Sequence, residues 1–345
     1  MEFGITMFGD LAYNSITGQR QNPQVRMQEM LEEAKLADEV GLHMFGMGEH
    51  HREDYAVPSP QMFLSAAAAI TKNIKLSSAV TVLSSTDPVR LYQEFSMLDN
   101  ISNGRAEIMV GRGSFIESFP LFGFNVQDYN GLFEEKLELL LKINESNKDI
   151  DWRGTYRAPL INQSVFPTAV NQHIPIWVAV GGTPESVVRA ARLGLPITFA
   201  IIGGLPAHFQ PLVAMYKEVY DKYNHPKDKY QLAINSHLLI GENSSALKDY
   251  YFPIYAQQMD AIGKDRGWPK FSRQVFDNTA RPEGAYFFGS PNEVVDKILA
   301  QHELFNHTRF QGHVDVGGPD HKTIMKSIEL LGTKVMPEVN KALGN

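Results

Sequence analysis

Short apolar runs alternate with longer amphipathic stretches along the chain. The run EFGITMF at 2–8 predicts a first strand, and LHMFGM at 42–47 predicts a second. Between these runs, apolar residues recur at the spacing of three, four and seven positions that an amphipathic helix requires. Asn22-Pro23 supplies a helix N-cap followed by proline, and Gly41 supplies a typical C-terminal stop. The chain therefore opens with a strand–helix–strand unit.

The same alternation continues to the end of the chain. Further strands are predicted at 74–83, 105–111, 174–182, 195–204, 231–241 and 309–318. Further helices are predicted at 63–70, from 88 to the NISNG turn at 100–104, and at 131–143, 184–194, 207–223 and 322–332. Alternating strand and helix patterns indicate βαβ units and a parallel sheet. Eight such units favour an α/β fold of the (β/α)8 TIM-barrel type over an open doubly wound sheet, as a single domain over 1–345.

The alternation breaks between the seventh and eighth predicted strands. The long insertion there includes GKDRGWPKFSRQVFDNTARPEGAYFFGSP at 263–291, which is rich in glycine, proline and charged residues. This composition predicts an extended excursion. Because long loops in compact domains are usually functional or disordered, we predict that residues 264–290 form an active-site lid.

Composition narrows the class of protein. The chain has 345 residues, of which 43% are hydrophobic and 21% are charged, as expected of a globular protein. It contains no cysteine, which excludes disulfides, thiolate metal ligands and a cysteine nucleophile. The start lacks the basic and apolar regions of a secretory signal, and no apolar run reaches the roughly 18 residues of a membrane span. With a net charge of −7, we expect a cytoplasmic protein that binds neither nucleic acid nor membrane.

In a barrel of this kind, chemistry is located at the carboxyl ends of the strands. The sequence GMGEHHRED places Glu49, His50 and His51 at the end of the second predicted strand. An unpaired buried glutamate is destabilising, and histidine is a common acid, base or metal ligand. Adjacent side chains on a strand point to opposite faces, which disfavours one ion shared by both histidines, so we predict no metal site. The alternative is that either histidine is a packed, hydrogen-bonded rim residue.

Two glycine-rich segments at other strand ends indicate an anion site. Arg112 lies between glycines after the fourth predicted strand, and arginine can make bidentate contacts to phosphate. Gly181, Gly182 and Thr183 open a helix after the fifth strand, where free N–H groups and the helix dipole favour an anion. One phosphate held from both sides is the functional interpretation. An arginine in a surface turn and an ordinary helix start are the alternatives.

Common nucleotide and hydrolase motifs are missing from the sequence. A dinucleotide fingerprint would need a third glycine at the position of Ile116. The sequence also has no Walker-type phosphate loop, no His-Glu-x-x-His motif and no Gly-x-Ser-x-Gly elbow. These observations disfavour a dinucleotide-binding dehydrogenase, a P-loop nucleotidase and a serine hydrolase.

Several segments together resemble the bacterial luciferase-like family of flavin-dependent monooxygenases. They are GLHMFGMGEHHRED, AVTVLSSTDPVRLYQEFSMLDNISNGRAEIMVGRG, VAVGGTPESVVRAARLGLPITFAI, FFGSPNEVVDKI and SIELLGTKVMPEV. The resemblance covers nearly the whole chain, with the segments in order and at matching spacing. It implies a TIM barrel that binds FMN or, less often, the deazaflavin F420.

The resemblance also implies roles for individual residues. His50 matches the family's histidine beside the flavin, and Arg112 matches its phosphate-binding arginine. Gly181-Gly182-Thr183 matches the segment whose amides hold the phosphate, and Ala79-Val80 matches a non-proline cis peptide under the isoalloxazine ring. The segment before FFGSP matches a mobile lid. The sequence REDYAVPSP departs from the light-emitting members, so neither bioluminescence nor a particular substrate is implied.

The resulting hypothesis is a two-component monooxygenase. By resemblance, a separate NAD(P)H:flavin reductase supplies reduced FMN, and O2 converts it to a C4a-hydroperoxyflavin that oxygenates a small organic substrate, while His50 moves the proton. The family also implies a homodimer. The alternatives are an F420-dependent hydride-transfer oxidoreductase, a flavin-binding protein without turnover and a metal-dependent barrel hydrolase.

Overall fold

The computed structural model describes residues 1–113, 115–264 and 266–344. Each of eight parallel strands pairs with the next, and the last pairs with the first, so the sheet closes on itself. The predicted (β/α)8 barrel is therefore confirmed. Its strands are β1 (Glu2–Met7), β2 (Met44–Met47), β3 (Lys75–Ser78), β4 (Ala106–Gly111), β5 (Ile176–Val180), β6 (Ile197–Ala200), β7 (Leu232–Ile240) and β8 (Arg309–His313).

Helices pack outside the barrel, and two of them begin at caps that the sequence predicts. Asn22 accepts the backbone N–H of Gln24, Asp87 accepts those of Val89 and Arg90, and each helix that follows has proline at its start. No helix in the described parts of the chain is long and apolar enough to cross a bilayer. The helices are α1 (Pro23–Glu39), α2 (Pro60–Ile70), α3 (Pro88–Ser102), α4 (Ser118–Phe122), α5 (Tyr129–Glu145), α6 (Pro184–Arg192), α7 (Gln210–Lys222), α8 (Ser244–Lys264), α9 (Arg273–Thr279), α10 (Pro291–Phe305), α11 (His321–Leu330) and α12 (Met336–Ala342).

The third strand differs from its prediction. The sequence predicts one strand at 74–83, whereas the structure ends β3 at Ser78 and places a separate short strand, Thr81–Val82, against the end of β4. The Ala79–Val80 peptide bond between them is cis. The conformation that the family resemblance implies at this bond is confirmed.

Most residues in the described part of 263–291 lie in the loops around α9 and the strand Phe287–Gly289, in line with the prediction from composition. The insertion between β7 and β8 as a whole is nevertheless largely helical, which the sequence analysis does not predict. It begins with the 21-residue helix α8, which continues through Pro253, and it also contains α9, the strand Phe287–Gly289 and α10. That strand pairs in parallel with the second half of β7. Asp265, within the predicted lid, lies outside the described residues. Burial of aromatic surface outweighs the glycine and proline content here; the cluster contains Tyr251, Tyr255, Phe276, Tyr286 and Phe288.

A buried ion-pair network fills the amino-terminal end of the barrel. Arg309 on β8, which is 1% exposed, contacts both carboxylate oxygens of Glu107 on β4 at 2.7 and 3.0 Å. Its Nε donates to Glu2 on β1 at 2.7 Å, and the guanidinium carbon lies 4.3 Å from the centre of the Trp177 ring. Lys75 on β3 lies 2.7 Å from Glu2. The network joins four strands at the end opposite the strand-end motifs.

Replacing Arg309 by methionine is expected to lower the free energy of unfolding by up to about 3–5 kcal/mol. Buried Glu107 would lose its two hydrogen bonds to the guanidinium and keep only the more distant Lys75 Nζ, at 3.6 Å, as a charged partner. Urea denaturation followed by circular dichroism measures this change. The double variant Arg309→Met/Glu107→Leu removes both charges and is expected to recover part of the loss. A single variant as stable as the native chain would contradict this role of the network.

Candidate active site

His50 lies just beyond β2 and is enclosed by aromatic rings. The Tyr55 ring stacks on the imidazole with ring centres 4.2 Å apart, and the rings of Phe8 and Phe115 meet it edge-on at 4.6 and 5.0 Å. As a result, His50 is only 7% exposed. Its Nδ1 lies 3.6 Å from Oε1 of Glu117. His50 is therefore a shielded imidazole with one carboxylate within reach.

No motif in the sequence marks Glu117, which follows Arg112 in the loop after β4. Its Oε1 also accepts the backbone N–H of His51 at 3.5 Å. Burial raises the pKa of the Glu117 carboxyl, but the nearby His50 imidazole and backbone N–H groups bring it below its usual range. The carboxylate therefore stays ionised beside the imidazole. The only sequence signal for Glu117 is its place in a loop that follows a barrel strand.

The neighbouring His51 has a different partner. Its Nε2 lies 2.8 Å from Oε1 of Glu49, and Oε2 of Glu49 accepts the backbone N–H of Val82 at 2.8 Å. The two adjacent histidines thus contact separate carboxylates, as the alternation of an extended segment requires. Glu49 is buried but paired, and it ties the end of β2 to the strand Thr81–Val82.

A small cavity of about 60 Å³ lies between the histidines and the cis peptide. His50, Glu49, Glu117 and Val80 are among the residues that line it. A cavity of this size can hold water, and the carboxylates and imidazoles among its lining can form hydrogen bonds with it. The cavity therefore places the shielded histidine beside Val80, one of the residues that the sequence assigns to the cofactor.

The predicted anion site comes together across β4 and β5. Nη2 of Arg112 donates to the Thr183 hydroxyl oxygen at 3.1 Å, and Nη1 donates to the side-chain oxygen of Asn130 at 2.6 Å. The guanidinium carbon also lies 5.2 Å from the centre of the Tyr129 ring. Both hydrogen-bond acceptors are neutral, so the positive charge of Arg112 is left for an anion.

The loop that opens α6 provides space and donors beside this arginine. A Cβ added to Gly181 or Gly182 would meet no described atom within 4 Å, and Gly182 has φ +125°, which favours glycine. The N–H groups of Gly182, Thr183 and Glu185 have no acceptor within residues 1–113, 115–264 and 266–344. The Ser186 N–H is already used, because it donates to the Thr183 carbonyl oxygen at 3.1 Å. The loop thus has the features of an anion-binding helix start.

Two further histidines lie at the opposite side of the rim. His237 on β7 has Nδ1 2.7 Å from the Tyr255 hydroxyl oxygen, and burial lowers its pKa well below the usual value. His313 ends β8, with its ring centre 5.5 Å from that of His237 and 4.2 Å from that of Phe8. The sequence does contain a sign of both histidines. Each lies two positions after another polar side chain on a predicted strand, as His237 does after Asn235, and such residues share one face of the strand.

Strand order divides the rim into two parts. The residues assigned to the cofactor follow β3, β4 and β5, whereas the histidines, Phe8 and Tyr55 lie at the ends of β7, β8, β1 and β2. Phe115, which also contacts His50, comes from the loop after β4. His50 lies at one border between these parts, where β2 pairs with β3. A ligand held by the first part can therefore face side chains of the second across the barrel mouth.

One group in the described residues has the composition of a metal site. It consists of Asp10, His313 and Asp315, all of them buried. The Asp315 carboxylate already accepts backbone N–H groups and lies 3.4 Å from the Arg26 guanidinium. A guanidinium at this distance opposes a bound cation by repulsion. That the chain binds no metal stays our prediction.

The closed parallel barrel carries on one rim a shielded histidine and a glycine-rich helix start with N–H groups that are free within the described residues, an arrangement found in many barrel enzymes. The chain matches the family described as luciferase-like monooxygenase over residues 1–308, and it belongs to this family. It is 33% identical over 341 residues to the oxygenase component of the flavin-dependent trigonelline monooxygenase of Acinetobacter baylyi, covering 91% of this chain and 90% of the relative. The family resemblance drawn from the sequence is confirmed.

Two solved structures share the fold. One is the oxygenating constituent of 3,6-diketocamphane monooxygenase from Pseudomonas putida, a type II Baeyer–Villiger monooxygenase in complex with FMN. Its TM-score is 0.77 at 20% identity, over 98% of this chain and 99% of that chain. The other is the coenzyme F420-dependent tetrahydromethanopterin reductase from Methanopyrus kandleri, with a TM-score of 0.73 at 21% identity, over 98% of this chain and 99% of that chain.

Replacing His50 by leucine is expected to raise the pKa of Glu117, because burial then acts without the imidazole that opposes it. A carbon-13 NMR titration of glutamate carboxyl groups measures this, with Glu117→Gln identifying the signal. The control His51→Leu keeps the backbone donor to Glu117 and is expected to change the midpoint less. If the midpoint is the same in native chain and His50→Leu, the two side chains do not interact.

Proposed function

We propose that this chain is the oxygenase component of a two-component flavin-dependent monooxygenase. It would use reduced FMN and O2 to oxygenate a small organic substrate. The observation that carries the proposal is the Arg112–Thr183 contact of 3.1 Å beside the open Gly181-Gly182 loop. The FMN-bound structure of the same fold supports the choice of cofactor.

The residues present fit the phosphate of FMN. The Arg112 guanidinium and the N–H groups of Gly182, Thr183 and Glu185 would hold it, with the α6 dipole adding to the attraction. Ala79 and Val80 would lie against the flavin ring, as the family resemblance implies. Reduced FMN, when bound, supplies the electrons that activate dioxygen. The chain itself binds, orients and shields the reactants.

His50 is proposed as the proton-transfer residue. His50 and Val80 of the cis peptide line the same cavity of about 60 Å³. The rings of Phe8, Tyr55 and Phe115 shield His50 from bulk water. Exclusion of water strengthens electrostatic interactions inside a site and limits side reactions. The Glu117 carboxylate at 3.6 Å would stabilise the protonated imidazole and orient it.

Residues 264–290 are proposed to cover this site. The Arg266 guanidinium carbon lies 5.3 Å from the centre of the Phe115 ring, and Phe115 contacts His50. Trp268, in the same stretch, is 52% exposed. Tyr286 and Phe288 are buried in the aromatic cluster, so movement of the cover would be confined to the part of the segment before them.

The reductant and the assembly are also proposals. The sequence has no dinucleotide fingerprint, so we propose that a separate NAD(P)H:flavin reductase supplies reduced FMN. We propose a homodimer that buries the apolar side chains exposed on α2 and α3, where Met62, Met97 and Ile101 are 76%, 55% and 53% exposed. The cytoplasmic location remains a prediction.

An F420-dependent oxidoreductase is the second proposal, because an F420-dependent reductase shares the fold at a TM-score of 0.73. Anaerobic titration with each reduced cofactor separates the two proposals. The monooxygenase proposal expects tighter binding of reduced FMN than of reduced F420. Tighter binding of reduced F420 than of reduced FMN would favour an F420-dependent hydride-transfer enzyme over the monooxygenase.

Replacing Arg112 by methionine is expected to weaken FMN binding by about 1.5–3 kcal/mol, roughly 10- to 150-fold in Kd, through loss of a charge-assisted contact. Fluorescence titration measures the affinity. Riboflavin, which lacks the phosphate, is the matched control, and its Kd is expected to stay unchanged. If Arg112→Met weakens the binding of FMN and riboflavin equally, Arg112 does not bind the phosphate.

Replacing His50 by alanine is expected to lower turnover roughly 10²- to 10⁴-fold, the usual contribution of a general acid or base. Oxygen uptake coupled to oxidation of small organic compounds, in the presence of a flavin reductase, measures turnover. The control His173→Gln changes an exposed histidine before β5, at the other end of the barrel. Unchanged turnover in His50→Ala would remove His50 from the mechanism.

A further inference from the structure

The Asp315 carboxylate holds the backbone at the end of β1. This fully buried side chain follows β8, and it accepts three successive backbone N–H groups, from Phe8 at 3.1 Å, Gly9 at 2.8 Å and Asp10 at 3.3 Å. Successive N–H groups that converge on one anion form a compact backbone nest. Because the acceptor is ionised, these hydrogen bonds are stronger than those between neutral groups.

His313, Arg26 and the backbone N–H groups keep Asp315 ionised in this buried position. The His313 Nε2 lies 3.0 Å from its Oδ1, and the Arg26 Nη2 lies 3.4 Å from its Oδ2. Burial raises the pKa of the Asp315 carboxyl, but His313, Arg26 and the Phe8 N–H outweigh burial and bring it to about 2. Burial and the Asp315 charge instead raise the pKa of Asp10 well above its usual value. Asp315 is thus the ionised member of the pair.

The backbone segment that Asp315 holds includes Phe8, whose ring forms one aromatic wall beside His50. The Phe8 ring lies between two imidazoles, 4.6 Å from His50 and 4.2 Å from His313. It also packs against the segment that leads from β2 to His50, so closely that a Cβ added to Gly48 would clash with Phe8 Cδ1. Phe8 therefore has little freedom to move without displacing the end of β2.

Tyr55, whose ring forms the second aromatic wall, is attached to the same segment by backbone hydrogen bonds on both sides of it. Ala56 N–H donates to the Gly9 carbonyl oxygen at 2.8 Å, and Leu11 N–H donates to the Asp54 carbonyl oxygen at 2.9 Å. These two bonds fix Tyr55, whose ring stacks on His50 with planes 25° apart. Both Phe8 and Tyr55 thus take their positions from backbone that the Asp315 carboxylate anchors.

We infer that Asp315 is a positioning residue, whose carboxylate fixes the β1 end and, through the Phe8 and Tyr55 rings, sets the place and orientation of the His50 imidazole. The functional importance of this role rests on the proposed proton transfer by His50. Asp315 does not itself touch the imidazole. It acts at a distance by holding the surfaces between which the imidazole fits.

The variant Asp315→Asn tests the inference in the cofactor-free full-length chain. Asparagine keeps the size of the side chain but loses the charge and replaces one acceptor oxygen by an NH2 group, which cannot accept the backbone N–H that this oxygen accepts. The chain has 11 histidines, so selective carbon-13 labelling of histidine rings gives few NMR signals, and His50→Gln identifies the one of His50. The ring-current shift of the His50 signal is expected to decrease, toward that of an exposed histidine.

The variant Phe8→Leu keeps the carboxylate and removes one aromatic wall, so it tests the same route if Asp315→Asn does not fold by circular dichroism. It is expected to change the His50 signal as well. In the double variant, Asp315→Asn is expected to have less effect than it has alone, since part of its action passes through Phe8. An unchanged His50 signal in folded Asp315→Asn, or in Phe8→Leu, overturns the inference. So does an undiminished effect of Asp315→Asn in the double variant.

Kinetics distinguish a failure of this inference from a failure of the proposed function. Misplacement of the imidazole is expected to lower turnover in Asp315→Asn by up to about 100-fold. The Kd for FMN is expected to stay unchanged, because the residues proposed to bind the phosphate follow β4 and β5, away from Asp315. If Asp315→Asn moves the His50 signal but His50→Ala turns over normally, positioning stands and the proposed role of His50 fails. If FMN affinity falls as much as turnover, Asp315 supports the whole fold and the inference is overturned.

Discussion

Parallel closure of the sheet is the constraint on which the site depends. Because all eight strands run in one direction and β8 pairs with β1, their carboxyl ends share one rim. Pairing of β4 with β5 brings Arg112 within 3.1 Å of Thr183, a residue 71 positions later in the chain. Closure through β8 and β1 brings Asp315 within hydrogen-bond distance of Phe8. The ion pairs of Arg309 at the other end of the barrel satisfy charges that would otherwise be buried alone.

The rim separates two physical tasks. Anion binding needs exposed N–H groups and an available positive charge, and both are found where β4 and β5 end. Proton transfer needs an imidazole that is shielded from bulk water. Three aromatic rings shield His50 in this way. Glu49 links the two regions, since it holds His51 with one oxygen and the Val82 N–H, beyond the cis peptide, with the other. The low polarity around His50 strengthens its interaction with Glu117.

Regular alternation made the barrel, the strand ends and the Arg112–Thr183 pairing predictable from the sequence. The separate contacts of His50 and His51 followed from the two-residue period of extended chain. Glu117 and Asp315 could not be predicted, because their roles depend on side-chain contacts between loops. One of these contacts, from Asp315 to Phe8, joins residues 307 positions apart. Helix α8 was missed because buried tyrosines stabilise it despite Pro253, and packing of this kind outweighs propensity.

A crystal structure with FMN bound would test the division of the rim most directly. The account predicts the phosphate between Arg112 and the first residues of α6, and the flavin ring against Ala79 and Val80 on the side facing His50. A phosphate bound away from Arg112, or a ring placed where His50 cannot reach it, would contradict the account.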